Sequence, residues 1–76
     1  MTLKERVVLR VLGIRISEDG ERWTAPRKRE ALVLDCFKRA VTDAWRDGAN
    51  LTVTNEPDGG ITVTGPKRTI TLRWLP

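Results

Sequence analysis

Apolar and polar residues alternate with a period of two along the last third of the chain. The stretches LTVT (51–54), ITVT (61–64) and TITLRW (69–74) are separated by NEPDGG and GPKR, which are rich in turn residues. This spacing predicts three strands joined by tight turns in an antiparallel meander. Successive strand residues face opposite sides of a sheet. Leu51, Val53, Ile61, Val63, Ile70, Leu72 and Trp74 then share a core face, and Thr52, Thr54, Thr62, Thr64, Thr69, Thr71 and Arg73 share the other. Upstream the period changes. Leu34, Phe37, Val41 and Ala44, with Val33, Ala40 and Trp45 beside them, recur every three or four residues, as on one face of a helix. Pro26 suits its first turn and Gly48 its end.

The first third is less regular. TLKE matches a helix capping box, but RVVLRVLGIRI (6–16) is rich in β-branched residues, and on a helical wheel its apolar residues fall all round. The segment reads as a strand, with Gly13 marking a bulge. SEDGE (17–21) signals a turn and RWT a short return strand, so residues 14–24 read as a hairpin. The expected order is ββαβββ. It defines an α+β two-layer sandwich, a single domain over residues 1–76 with one helix on a mostly antiparallel four- or five-stranded sheet.

Composition then narrows the function. The 76 residues include no histidine, no tyrosine and one cysteine, Cys36. The commonest general base and metal ligand are absent, and neither a Cys/His nor a Ser/His pair can form. Asp35, Asp43 and Asp47 alternate with Lys38, Arg39 and Arg46 and read as a solvated helix face. The expectation is a protein that is not an enzyme and uses neither metal nor cofactor. No apolar run is long enough for a transmembrane helix, and charges interrupt the start MTLKERVV, so a cytoplasmic protein is expected.

Net charge is +4 and uneven: residues 1–30 carry eight basic and five acidic side chains, and ten of the fourteen cations are arginine. Arginine suits bidentate contact with phosphate. Arg27, Lys28 and Arg29 stand together where the helix is expected to begin. They oppose its dipole at about 0.3 kcal/mol or more each, a cost that an anion docked on the free N–H groups would offset. Lys67 and Arg68 form a basic turn tip, and Arg6, Arg10 and Arg73 are placed on the outer sheet face. That face lacks the aromatic residues on which sheet-type RNA readers stack bases. The direction of Trp23 is open between the core and an exposed protein-interface anchor.

These features lead to a small basic binding module that contacts nucleic acid or another anionic surface, with strong salt dependence and little sequence readout. The alternative is a protein-interaction regulator or inhibitor, of the size phages and mobile elements encode, docking on a host protein or nucleoprotein complex. The thin core also makes a homodimer a candidate state, with the long first strand pairing across an edge.

Overall fold

The computed structural model describes residues 3–46 and 48–76. It is an α+β two-layer fold in which helix α1 (Leu3–Val11) precedes strands β1 (Arg15–Ile16) and β2 (Arg22–Ala25). A 3-10 turn (Arg27–Arg29) leads into helix α2 (Glu30–Ala44). Strands β3 (Thr52–Asn55), β4 (Ile61–Gly65) and β5 (Arg68–Trp74) follow. From Arg15 onward the order is the expected ββαβββ. The strand expected over residues 6–16 is corrected: most of it belongs to α1, which gives the fold a second helix.

The termination of α1 explains this outcome. Gly13 has φ +86°, a conformation that suits a residue without Cβ. Its N–H donates to the Arg10 carbonyl at 3.0 Å, and the Ile14 N–H donates to the Leu9 carbonyl at 2.9 Å. These two bonds form a Schellman motif, with Leu9 and Ile14 as its apolar pair; both are buried. Gly13 therefore ends a helix rather than bulging a strand. Glu5 in the first turn and Arg10 in the last suit the helix dipole.

The sheet order is β1-β2-β5-β4-β3. Its pairs are antiparallel except β2 with β5, which run parallel. Ile16 lies opposite Trp23, Trp23 opposite Leu72, and Leu72 opposite Ile61. Val53, Val63 and Ile70 form the next row of the same inner face. Val33 and Phe37 of α2 and Leu9 of α1 join the buried Trp23, Val63, Ile70 and Leu72 in one core. Phe37 meets Trp23 edge-to-face with centroids 5.5 Å apart, a favoured aromatic geometry. Trp23 is 1 % exposed, and its indole N–H donates to the Gly20 carbonyl at 3.1 Å.

Trp45 and Trp74 share the inner phase but sit at opposite ends of the sheet. Trp45 caps the C-terminus of α2 and donates to the Pro66 carbonyl at 3.2 Å. It lies with Leu51 over Gly65, where an added Cβ would come within 2.5 Å of Leu51 and 2.6 Å of Trp45. Trp74 donates to the Gly59 carbonyl at 2.9 Å, at the β3–β4 turn.

Candidate anion-binding face

With both helices on the inner side, no second layer of described residues covers the outer face of the sheet. The register fixes its residues in rows. Thr52, Thr64 and Thr69 form one row, and Thr54, Thr62, Thr71 and Arg22 the next. Arg73, Thr24 and Arg15 lie side by side on β5, β2 and β1. Three arginines thus surround Thr24: Arg15 and Arg73 one strand away on either side, about 5 Å each, and Arg22 two residues along β2. All three are exposed, and among the described residues none makes a side-chain hydrogen bond or an ion pair.

Like charges on neighbouring strands repel, by about 0.5 kcal/mol for a pair roughly 9 Å apart in water. The fold tolerates that cost, and a bound anion would remove it. Arginine forks and threonine hydroxyls are donors that match phosphate oxygens. Three acidic residues border the patch, Asp19, Glu56 and Asp58, the last on the rim of the same hollow as Arg73. Asp19 exerts an attraction on Arg22, and Glu56 lines a shallow hollow with Thr62, Thr71 and Arg73. The Glu56 carboxylate is occupied by the Thr62 hydroxyl at 3.1 Å.

The structure distributes the other candidate cations differently from the expectation. Arg27, Lys28 and Arg29 form the 3-10 turn, and α2 proper opens with Glu30 in its first turn. The cations therefore stand ahead of the helix rather than inside its N-terminal turn. Arg27 donates to the Asp58 carbonyl, and its guanidinium lies 5.8 Å from the Trp74 ring centre. It ties the 3-10 turn to the β3–β4 turn. Lys28 and Arg29 are exposed and make no side-chain bond among the described residues.

Arg68 points to the inner side at the opposite end of the sheet. It donates to the Asp19 carbonyl at 3.0 Å and approaches the Glu21 carboxylate at 3.5 Å. Arg6 is on α1 and donates to the Ser17 and Glu18 carbonyls at 3.4 and 3.3 Å. Arg10 is on α1 too, so neither joins the outer face; the strand that would have carried them there is a helix. Lys67 occupies the β4–β5 turn with φ +66° and is exposed. Of the proposed footprint, Arg73 alone lies in the arginine cluster. Burial rules out Trp23 as an exposed interface anchor.

Arg15 and Arg22 were missed by sequence reasoning. Their signal is the phase of the β1–β2 hairpin: once Trp23 turns inward, Arg22 and Thr24 must turn outward, and Arg15 follows its partner Thr24.

The inner side has its own opening. A groove of about 770 Å³ runs between α1 and α2 over Trp23 and Ile70, with Cys36 on its wall. Burial pushes the Cys36 thiol above its ordinary pKa, and the Asp35 carboxylate adds to the effect. Such a thiol stays protonated at neutral pH and is a poor nucleophile. Among the described residues, no group of three His, Cys, Asp or Glu could hold a metal, and no helix is long and apolar enough to cross a membrane. Comparison with known proteins finds no family model, no curated protein and no solved structure that matches the chain.

Proposed function

We propose that this chain is a non-enzymatic binding module that lays its outer sheet face on a polyanion, with nucleic acid the best match. The observation that carries this reading is the cluster of Arg15, Arg22 and Arg73 around Thr24, exposed and without a salt bridge, on a face that none of the described elements covers. Three phosphate contacts would make log K fall with log salt at a slope of about −2.7 on duplex DNA. The outer face has no aromatic residue, so contacts fall on the backbone and sequence discrimination is weak. Lys28 and Arg29, exposed in the 3-10 turn that follows β2, are further cations outside this cluster. The test is fluorescence anisotropy with labelled single-stranded RNA and duplex DNA at low and physiological salt, comparing the wild type with R15E/R22E/R73E. Unchanged affinity in that variant would remove the outer face from the mechanism.

A second reading, a protein-interaction regulator, draws support from α1. Leu9 faces the core, and Leu3, Val7 and Val11 occupy the opposite side, with exposures of 79, 55 and 80 %. Residues four apart stack on one helix face, so the three form an apolar stripe turned to solvent. A stripe of this kind is a feature of protein-docking helices. Val7→Glu would abolish capture of such a partner and leave polyanion binding intact.

A further inference from the structure

The two edges of the sheet differ. Strand β1 is two residues long, carries Arg15, and is closed where Arg6 donates to the Ser17 and Glu18 carbonyls just beyond it. Short length, charge and a covering element are the ordinary means by which an edge is protected from pairing. Strand β3 has none of them. Every residue from 50 to 56 is exposed, and the segment from Ala49 to Asn55 holds no charge and no proline.

The register shows which backbone groups stand open. The Glu56 N–H donates to the Gly60 carbonyl at 2.8 Å, so Glu56 and Gly60 form a hydrogen-bonded pair. An antiparallel ladder alternates, so Thr54 and Thr52 direct their N–H and C=O groups at β4. Val53 and Asn55 direct theirs away from the sheet, to the open edge. The sequence around Val53 is symmetric, Thr52-Val53-Thr54.

We infer that β3 is a homodimerisation edge, pairing antiparallel with β3 of a second copy about a two-fold axis at Val53. In that register Val53 meets Val53 of the second copy as a hydrogen-bonded pair, and Asn55 meets Leu51 of the second copy. The junction makes about six main-chain hydrogen bonds. Side chains match as well. The two Val53 side chains, each 59 % exposed in the single chain, meet on the inner side beyond the reach of the helices. Thr52 meets Thr54 of the second copy on the outer side, a favourable cross-strand pair. The nearest like charges, the two Glu56 carboxylates, fall at opposite ends of the junction, about 20 Å apart. Because the β1 edge is two residues long and carries Arg15, the pairing stops at two copies rather than growing into a fibre. The product is one ten-stranded sheet whose outer faces join. The inference rests on the edge alone and stands whether or not that face binds a polyanion.

The experiment is sedimentation equilibrium of the full chain over a wide concentration range, for the wild type and for Val53→Lys. Position 53 is exposed in the single chain, so the variant keeps its fold, which circular dichroism verifies. The expected result is a reversible monomer–dimer equilibrium whose association constant falls by about tenfold or more in Val53→Lys. A second variant, V53C/C36S, reads the register. Cα atoms of a hydrogen-bonded pair lie about 5.5 Å apart, within disulfide range. Mild oxidation should therefore give a covalent dimer, whereas T64C/C36S, placed on β4, should give none at the same rate. A wild type that stays monomeric up to about 1 mM, a dimer unaffected by Val53→Lys, or equal cross-linking at the two positions would each overturn the inference.

Discussion

The guanidinium of Arg27 lies over the indole of Trp74, 5.8 Å from the ring centre, and donates to the carbonyl of Asp58 across 31 residues of chain. This contact joins the start of the α2 segment to the β3–β4 turn and to the end of β5. It gives Arg27 a structural role. A cation–π contact and a charge-assisted hydrogen bond are together worth about 1–3 kcal/mol. Arg27→Ala should lower stability by that amount in urea unfolding. It should change polyanion affinity far less than removal of Arg73, and comparing the two variants by anisotropy separates the roles.

Gly65 supports the other end of the sheet. An added Cβ would meet Leu51 at 2.5 Å and the Trp45 indole at 2.6 Å, so both rings and methyls would have to move. Overpacking of this kind costs about 1–3 kcal/mol. Gly65→Ala should shift the urea midpoint down by that amount with an unchanged m-value, and a wild-type midpoint would mean that Trp45 and Leu51 do not rest on β4.

The β1–β2 turn has an acid-sensitive element. The Ser17 hydroxyl and the Glu21 N–H both donate to the Asp19 carboxylate, and these bonds hold its pKa below the ordinary 3.8. A lowered folded pKa means the stabilisation is fully present above the unfolded value, near pH 3.8 and up, and is lost as pH falls through the folded value. Amide exchange in residues 17–21 should therefore show protection that drops at acid pH. Asp19→Asn should remove that acid step, and persistence of the step in the variant would assign it to another group.

Tryptophan accessibility offers an independent check of the core. Trp23 and Trp45 are buried and Trp74 is half-buried. Iodide should quench the fluorescence only in part, and Trp74→Phe should remove most of the accessible fraction. If Trp23→Phe removed it instead, the edge-to-face packing against Phe37 would be wrong.

The period-two meander and the amphipathic α2 were legible because each repeats its signal over several residues. Val63, Ile70 and Leu72 are inside and Thr52, Thr54, Thr64 and Thr69 outside, as the alternation requires. The first third resisted reading because its local signals conflict. Val7, Val8 and Val11 favour a strand, and Leu9 is the single buried residue of the helix they form. With Leu9 buried on one side and Leu3, Val7 and Val11 exposed on the other, apolar residues surround the helix and mark no single face. The decisive signal was Gly13 followed by Ile14, five residues after Leu9, which marks a helix end. The arginine cluster was harder still. Strand β1 has two residues and therefore no period, and the inward direction of Trp23 is set by parallel pairing with β5, almost fifty residues away.

The central claim is that Arg15, Arg22 and Arg73 form a polyanion-binding face. Its most direct test is the salt dependence of duplex DNA binding by anisotropy, in the wild type and in the three single Arg→Ala variants. The account predicts a wild-type log–log slope of about −2.7, reduced by about one in each variant. A salt-independent signal, or variants with the wild-type slope, would contradict it.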